Sequence, residues 1–474
     1  MIADDDLLKL REGLMKGTPK ISISSGLREF PFEVLTLWSS LEHLDLSGNG
    51  YLSSLPVEFS CLHRLRVFFC SGNSFTELPE VLGLCSSLSM IGFRNNKIRM
   101  VKGSSLPAST LKWLILTGNM IEELPAEIGN CKYLKKLLLS GNLLTDLPRE
   151  MVACTELELI RIAANRLSVL PDWLLQLPKL AWLGINGNPI CADLEGLVFD
   201  ESLSESSTDG VGQLAIGSHS SAVKTNIAAV RWDALHINHI IGEGASGVIY
   251  HAELFADETL GQTTTNPLST AVAVKVFKGD LTSDGLPRSE MAAYLHAGTH
   301  NCLIPLVGKV VNHPKNAQAL VMQFVNDQYR TLANPPSMQT CTRDVYSLDS
   351  QFTLCAALKM ATGIASLAAH LHQHGVLHGD LYAHNILADS KGNVFLGDFG
   401  AASLISHVDI LLRTALQRVE VRAFGCLFEE LLERVALPDS NQRQALLGLC
   451  SRCLSAEAGN RPLFVEIVQF LESF

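Results

Sequence analysis

The chain has 474 residues, of which 47% are hydrophobic, and a formal net charge of −11. This length allows two or three domains, and the apolar content predicts large buried cores instead of disorder. Because the chain is acidic and its Lys and Arg residues do not recur in clusters, neither nucleic acid nor an anionic membrane is expected as a primary partner.

The N-terminal sequence MIADDDLLKL is acidic where a secretory signal needs basic residues, and no run of 18 apolar residues occurs. We therefore expect an intracellular, cytoplasmic protein without a signal peptide or transmembrane segment. Of the twelve cysteines, only Cys450 and Cys453 approach the spacing of a metal-binding pair, so no metal site is predicted from them. Cys85, Cys131 and Cys154 recur at one repeat position, which indicates buried structural thiols.

The chain begins with residues 1–18, predicted as a capping helix because Leu7, Leu10 and Leu14 share one helical face. Between residues 19 and 191, the motif LxxLxLxxN recurs at spacings of 24 and then five times 23 residues, with asparagines at Asn49, Asn73, Asn96, Asn119, Asn142, Asn165 and Asn188. The motif resembles a leucine-rich repeat, which implies a horseshoe-shaped α/β solenoid with one short strand per repeat. Seven repeats are clear, and a degenerate eighth surrounds Gly26.

In such a strand the fourth and sixth motif positions point into the core, so the third and fifth face the concave side. Many residues at those positions are apolar, and together they form what we call the concave strip: Val67, Phe69, Met90, Trp113, Ile115, Leu138, Leu159 and Trp182. We expect the concave strip to bind protein, either a substrate or regulator or the second half of this chain. The alternative is a set of unrelated apolar surface side chains, which are common.

Residues 192–231 are predicted to be an acidic, serine-rich linker. The repeat period stops there, and the stretch DESLSESSTD contains no Lys or Arg.

The remaining residues, 232–474, contain motifs suited to phosphate chemistry. In IIGEGASGVIY, Gly242, Gly244 and Gly247 form a GxGxxG pattern whose backbone amides can approach phosphates. Since β-type residues continue past the last glycine, a hairpin is favoured over a Rossmann turn, in which a helix follows. Lys275 ends the apolar strand VAVK and needs a charged partner there. Glu290 lies in the helical stretch SEMAAYLHAG, whose apolar residues are spaced for one helical face.

The stretch VLHGDLYAHNILADSKGNVFLGDFG, residues 376–400, places Asp380, Asn385 and Asp398 between short apolar strands. Phosphoryl transfer needs a carboxylate near the attacking hydroxyl and oxygen ligands for Mg²⁺, and this stretch can supply both. It resembles the protein kinase catalytic loop followed by the DFG element, with the glycine motif and VAVK in the family's order. The resemblance covers residues 232–474 and implies an α+β, two-lobed protein kinase-like domain after the repeats.

The resemblance also implies roles for individual residues. Asp380 (as base), Lys275 and Glu290 would be catalytic, and Asn385 and Asp398 would bind Mg²⁺. Lys275 would reach the nucleotide phosphates and pair with a helix glutamate, for which Glu290 fits best. The strand ALVMQFV would lead into the hinge that holds adenine, and the residues expected to bind ATP are Ile241, Gly242, Gly244, Gly247, Ile249, Ala273, Lys275, Met322, Gln323, Val325 and Leu387.

Three departures from the family pattern bear on activity. Gly379 replaces the arginine before the catalytic aspartate, so a phosphate on the following segment would lack a cation. Tyr382 replaces a lysine, which leaves His384 as the nearby candidate to support the transferred phosphate. No APE motif occurs, and the helix expected from Val419 begins only 21 residues after Asp398, so the activation segment is predicted to be short.

Two functions therefore remain open. The first is an ATP-dependent serine/threonine protein kinase that transfers the γ-phosphate to a protein hydroxyl and whose repeats select a substrate or regulator. The second is a nucleotide-binding pseudokinase scaffold that acts through protein–protein interaction. The complete set of charged site residues favours the first, and the short activation segment favours the second.

Overall fold

The computed structural model describes residues 5–191, 228–244, 246–255, 269–279, 281–436 and 441–474. Contacts divide the chain into two units. The first unit extends to Ile190 and includes two short segments, Pro336–Arg343 and Ser455–Asn460, and the second unit contains the other residues. Most of the predicted linker, residues 192–227, lies outside the described residues.

The first unit is built on one parallel sheet. Helix α1 (Asp5–Arg11) lies within the stretch predicted as a cap. Eight strands of three residues follow and pair in chain order: β1 (Lys20–Ser22), β2 (His43–Asp45), β3 (Val67–Phe69), β4 (Met90–Gly92), β5 (Trp113–Ile115), β6 (Lys136–Leu138), β7 (Leu159–Arg161) and β8 (Trp182–Gly184). The first of them lies in the degenerate repeat and pairs with β2. The middle residue of every strand is buried, so the core lies behind the sheet.

Short helices alternate with the strands. Most are 3₁₀ turns, at Phe32–Leu37, Val57–Cys61, Glu80–Leu84, Gly103–Ser105, Ala126–Asn130, Arg149–Ala153 and Pro189–Cys191, and one is the α-helix α2 (Asp172–Leu175). In six of the repeats a proline stands directly before the helix. Proline suits this position because its fixed φ is compatible with a helix start, and its missing N–H ends the strand pairing.

The repeat asparagines satisfy buried backbone groups. The side-chain oxygen of Asn119 accepts a hydrogen bond from the Ile98 N–H at 3.0 Å, and its amide donates to the carbonyls of Phe93 and Leu116 at 2.9 and 2.8 Å. Such groups would otherwise be buried without partners. Asn73, after the single 24-residue spacing, donates the corresponding bonds, but its Oδ1 accepts none from the described part of the chain.

The concave strip is less open than the sequence predicted. Four members are buried (Val67, Met90, Leu159 and Trp182), and the other four are half-buried (Phe69, Trp113, Ile115 and Leu138). Packing between neighbouring strands covers part of this surface. The Phe69 ring lies over Gly92, where a Cβ atom would come within 2.5 Å of it. The Lys136 ammonium lies 4.6 Å from the centroid of the Trp113 ring.

The second unit begins with a six-stranded sheet. Its strands are β9 (Ala228–Arg231), β10 (Leu235–Glu243), β11 (Gly247–Phe255), β12 (Ser269–Phe277), β13 (Leu306–Val311) and β14 (Ala319–Gln323), in the order β10-β11-β12-β14-β13-β9. Only the β9–β13 pair is parallel. Because β9 lies in the last residues of the predicted linker, that prediction extended too far: Val230 is buried in the apolar core of this sheet. Helix α3 (Pro287–Ala297) lies between β12 and β13 in the chain.

Helices dominate the rest of the second unit: α4 (Leu354–Gln373), α5 (Ile410–Leu432), α6 (Asn441–Cys453) and α7 (Phe464–Leu471). Two small sheets accompany them. One has the order β15 (Arg330–Thr331), β17 (Ile386–Ala388), β18 (Val394–Leu396), and the other pairs β16 (Val376–Leu377) with β19 (Ser403–Leu404). Helix α5 begins well before the predicted Val419, because the Asp409 side chain caps it by accepting from the N–H groups of Leu411 and Leu412.

Among the described residues, α4 is the one helix whose length and apolar composition would suffice to cross a membrane. More than half of that stretch is buried, and α4 packs against α5 and α7. This is the environment of a core helix in a globular unit.

Candidate active site

The turn between β10 and β11 brings the three predicted glycines together. The Gly244 N–H donates to the Gly247 carbonyl at 3.0 Å, and β11 continues from Gly247 as a strand, as a hairpin requires. A Cβ atom on Gly247 would approach the Val276 carbonyl oxygen to 2.6 Å, so only glycine fits there. A Cβ atom on Gly244 would meet nothing within 4 Å, so this part of the turn faces open space.

Lys275 forms the centre of a buried charge cluster. It lies on β12, and its ammonium bonds the Glu290 Oε1 from α3 and lies 3.7 Å from Asp398 Oδ1. The side chains of Lys275 and Glu290 are only 10% and 4% exposed, whereas that of Asp398 is 51% exposed. The structure thus places Glu290 as the ion-pair partner of Lys275 and leaves the Asp398 carboxylate accessible.

Burial and charge act in opposite directions on the pKa values of this cluster. Burial raises the pKa of Glu290, although the Lys275 cation acts to lower it. Burial disfavours the charged form of Lys275, but Glu290 and Asp398 outweigh this effect and raise the pKa of Lys275. Burial also acts to raise the pKa of Asp398, yet the Lys275 cation and the Gly400 N–H, 3.2 Å away, lower it. Lys275 is therefore held as a cation beside an ionised Asp398.

The DFG segment is anchored by its phenylalanine. Phe399 is fully buried, and its ring centroid lies 4.9 Å from those of both Tyr294 and His378. The preceding residue, Asp398, has a φ of 50°, a left-handed conformation that costs free energy for a residue other than glycine. Its bond from the Gly400 N–H and its charge contact with Lys275 hold it in this conformation.

Asp380 and Asn385 are joined within one loop. It runs from β16 through a 3₁₀ turn, Ala383–Asn385, into β17. The Asn385 Nδ2 donates to both the backbone carbonyl and the Oδ2 of Asp380, each at 2.9 Å. These two bonds fix the Asp380 carboxylate relative to the asparagine.

The sequence did not predict the contacts that hold this loop in place. Glu420, on α5, accepts the Gly379 N–H at 2.7 Å, and its other oxygen lies 2.7 Å from the Nε2 of His372 on α4. Gly379 has a φ of 73°, a left-handed conformation that glycine adopts readily. Although burial acts to raise it, the pKa of Glu420 is lowered, chiefly by the His372 hydrogen bond.

A second unpredicted anchor is Asp344. Its buried carboxylate accepts the His384 backbone N–H at 2.9 Å and lies 2.7 Å from the His384 Nδ1. Burial acts to lower the pKa of His384, but the bond to Asp344 raises it, with help from Asp380 and Asp398. Tyr382, two residues before His384, is buried as well.

The residues predicted to surround adenine lie on adjacent strands. Ala273 on β12 pairs with Met322 on β14, and both are buried. The Gln323 N–H is already bonded to the Pro305 carbonyl at 2.9 Å, so Gln323 can offer only its carbonyl group to a ligand. Leu387 lies on β17, directly after the loop that contains Asp380 and Asn385.

Comparison with known proteins identifies both halves of the chain. Residues 235–425 match the family model described as protein tyrosine and serine/threonine kinase. Residues 40–62 and 132–190 match leucine-rich repeat models. The chain combines leucine-rich repeats with a protein kinase domain. The fold class predicted from the sequence, a repeat solenoid followed by a kinase fold, is confirmed.

Relatives of the kinase domain are distant. Fibroblast growth factor receptor 1 of Pleurodeles waltl is 26% identical over 203 residues, which are 40% of this chain and 24% of the receptor. A probable receptor-like serine/threonine-protein kinase of Arabidopsis thaliana is 23% identical over 294 residues, 50% of this chain and 62% of that protein. A serine/threonine-protein kinase of Schizosaccharomyces pombe is 23% identical over 225 residues, 43% of this chain and 51% of that protein. The chain thus spans between about a quarter and three-fifths of these relatives.

A kinase domain implies the use of ATP and a divalent metal, and the residues present fit both. The accessible Asp398 carboxylate and the Asn385 amide are oxygen ligands of the kind Mg²⁺ prefers, and nucleotide phosphates supply further oxygens. The described residues contain no cluster of three or more His, Cys, Asp or Glu side chains suited to a metal, and this kind of site does not need one. The open space at Gly244 leaves room for phosphates.

Proposed function

We propose that the chain is an ATP-dependent protein kinase of the serine/threonine type, which transfers the ATP γ-phosphate to a protein hydroxyl. One observation carries this proposal: Lys275 is ion-paired between Glu290 and Asp398, as phosphoryl transfer requires. A domain that no longer bound nucleotide would not need to keep a lysine buried at the cost of its desolvation.

The site residues then have distinct roles. Asp380 orients the attacking hydroxyl and accepts its proton, and the Asn385 amide keeps the Asp380 carboxylate in place. Lys275 bonds the nucleotide phosphates from a position that Glu290 fixes. Asn385 and Asp398 would hold the metal ion. Bound ATP and Mg²⁺ supply the phosphoryl group and neutralise its charge.

The nucleotide base is proposed to lie between the sheet and the strand after the catalytic loop. Its apolar walls are Ile241, Ile249, Ala273, Met322 and Leu387, and the polar contacts are the Gln323 carbonyl and the Val325 N–H. The phosphates would lie along the turn of Gly242, Gly244 and Gly247, where glycine lets backbone amides approach closely.

We also propose that activity does not depend on phosphorylation of the activation segment. Gly379 provides no cation for a phosphate, and α5 begins only twelve residues after Asp398. Within this short segment Ser403 is 1% exposed and pairs in β19, so a kinase could not reach it without unfolding the strand. Phosphatase treatment should leave the activity unchanged.

The repeats are proposed to bind a protein substrate or regulator. The half-buried members of the concave strip provide aromatic and aliphatic contact area on the open side of the sheet. We further propose a cytoplasmic location, because the repeat cysteines Cys70, Cys85, Cys131 and Cys154 are thiols, as is usual in a reducing compartment.

The alternative is a nucleotide-binding pseudokinase scaffold. The observation in its favour is the buried Tyr382 ring, which occupies the position of the usual lysine, together with the short segment before α5. Both functions predict nucleotide binding, so binding alone does not separate them. Incubation with labelled ATP, Mg²⁺ and peptide pools containing Ser, Thr or Tyr as the only acceptor separates the two. A kinase of the proposed type labels the Ser and Thr pools, whereas a scaffold labels none and a tyrosine kinase labels only the third.

A further inference from the structure

A groove flanked by two cationic residues lies at one edge of the repeat sheet. Its volume is about 300 Å³, and its lining includes two cations, Arg66 and Lys112, and the hydroxyl groups of Ser87, Ser89, Ser109 and Thr110. All of these residues belong to the repeats of the first unit. Within the described part of the chain, the lining contains no acidic residue.

The repeat period explains why two cationic residues flank the groove. Arg66, Ser89 and Lys112 each stand directly before a strand, and β3, β4 and β5 pair in register. Neighbouring strands are about 4.8 Å apart, so the two cationic residues stand roughly 10 Å apart with a serine between them. The long basic side chains form the walls of the groove, and the small serine leaves space between them.

In the part of the chain that the structure describes, the two cations have no carboxylate partner. Neither Arg66 nor Lys112 forms a salt bridge with any residue that the structure describes, and both are exposed. By contrast, the basic residue Arg64 pairs with Glu42 at 2.9 Å, and Lys135 pairs with Glu158 at 3.2 Å. Unlike these neighbours, Arg66 and Lys112 keep their charges available.

Backbone carbonyls beside the groove accept hydrogen bonds from two of its hydroxyl groups. The Arg66 carbonyl accepts from the Ser89 hydroxyl at 3.1 Å, and the Leu88 carbonyl accepts from the Thr110 hydroxyl at 2.6 Å. The Arg66 carbonyl also accepts the N–H groups of Ser89 and Met90. Because the Ser89 and Thr110 hydroxyls donate to these carbonyls, the groove offers a ligand the positive charges of Arg66 and Lys112 and the hydroxyl groups of Ser87 and Ser109, which suit an anion with several oxygen atoms.

We propose that this groove binds a phosphoserine or phosphothreonine side chain of a partner protein. A phosphate group has three acceptor oxygens and nearly two negative charges, so it can contact both cations, whereas one carboxylate carries a single charge. The β4 and β5 strands begin at the next residues, Met90 and Trp113, so apolar residues beside the phosphorylated one would meet the concave strip. Acidic and basic residues are equal in number over residues 1–190. This balance does not favour nucleic acid as the ligand, because nucleic-acid binding relies on an excess of basic residues.

The inference rests on the proposed protein-binding role of the repeats. Fluorescence anisotropy, with the intact chain and without nucleotide, tests whether the groove binds a phosphorylated peptide. The probe is a labelled pool of nine-residue peptides with a central phosphoserine flanked by apolar residues, and the reference is the same pool with serine. Two phosphate contacts predict binding at least about tenfold tighter for the phosphorylated pool, weakened by added salt.

Two double variants provide the matched comparison. Arg66→Ala with Lys112→Ala should reduce binding of the phosphorylated pool to the level of the serine pool. Arg64→Ala with Lys132→Ala removes two other exposed cations of the same repeats, outside the groove lining, and should change binding less than about twofold. Thermal unfolding of both variants checks that the repeats remain folded.

Several outcomes would overturn the proposal: equal binding of the two pools, no effect of the Arg66 and Lys112 substitutions, or binding of inorganic phosphate without preference for the phosphopeptide. Binding of transfer RNA that depends on the same two cations, without phosphopeptide binding, would assign the groove to nucleic acid instead. Trp113→Ser separates this inference from the general protein-binding role, because it should weaken both pools, whereas the cation variant should affect only the phosphorylated one.

Discussion

Replacing Lys275 by Met should destabilise the kinase domain more than replacing Glu290 by Gln, although the two residues form one ion pair. Lys275 contacts two carboxylates, Glu290 and Asp398, so its removal leaves both without their cation. After Glu290→Gln, by contrast, Lys275 keeps Asp398, and the glutamine oxygen can still accept its hydrogen bond.

The expected magnitudes follow from burial. Removal of one partner from a buried ion pair typically costs about 3–5 kcal/mol, and this value applies to Lys275→Met because Lys275 and Glu290 are both buried. Loss of charge from one side of a hydrogen bond that persists should cost about 1–2 kcal/mol, which applies to Glu290→Gln. For a domain of this size each kcal/mol lowers the Tm by about 2–4 °C, so the first variant should unfold roughly 6–20 °C lower and the second roughly 2–8 °C lower.

Thermal unfolding measured by circular dichroism, with and without ATP and Mg²⁺, provides the assay. Lys278→Met is the matched control, because this lysine lies three residues further on and pairs with Glu243 at the exposed surface. The control should lose less than about 1 kcal/mol. Nucleotide at 100 times its Kd should stabilise the wild type by about 2.7 kcal/mol, and Lys275→Met should reduce that gain. Equal Tm losses for Lys275→Met and Lys278→Met, or a larger loss for Glu290→Gln, would refute the reasoning.

Three further predictions concern other parts of the chain. The pKa of Glu420 is lowered in the fold, so the ionised carboxylate stabilises the fold above its unfolded-state pKa, and this stabilisation is lost as the pH falls through the folded-state pKa. In Glu420→Gln, the free energy of unfolding measured in urea should therefore change less with pH between about pH 6 and pH 3 than in the wild type. Asn119→Ala should cost about 2–4 kcal/mol in urea unfolding, whereas Asn73→Ala should cost about 1–2 kcal/mol, since the Asn73 oxygen has no donor to lose. A thiol reagent should modify exposed Cys355 rapidly and Cys131, whose pKa burial raises to about 12, only on unfolding; equal rates would contradict the assigned burial.

Local and periodic features of this chain could be predicted from sequence. The repeat period determines which residue of every strand faces the core, and the same period places Asn119 where the backbone needs a partner. The apolar strand around Lys275 showed that this lysine needs a charged partner, and the kinase resemblance identified that partner as a helix glutamate, Glu290. In each case the information lies in spacing along the chain or in the cost of burying a charge.

Contacts between distant segments could not be predicted in this way. Glu420 meets Gly379 and His372 across 41 and 48 residues, and neither spacing follows a local period. Helix α5 begins where the Asp409 side chain caps its first N–H groups. An aspartate can equally favour a turn, so the sequence alone did not show that a helix starts there. Burial of Trp182 was missed because strand geometry gives the direction of a side chain but not what covers it.

The central claim is that the buried ion pair, Asp380 and Asn385 together perform phosphoryl transfer. The most direct measurement is transfer of the labelled γ-phosphate from ATP, with Mg²⁺, by the intact chain and by Asp380→Asn, after nucleotide binding by both proteins has been matched in a thermal shift experiment. The account predicts transfer to a protein hydroxyl by the intact chain and a loss of at least about a hundredfold in the variant, the scale of a lost catalytic base. Absence of transfer by the intact chain, or equal transfer by the variant, would contradict it.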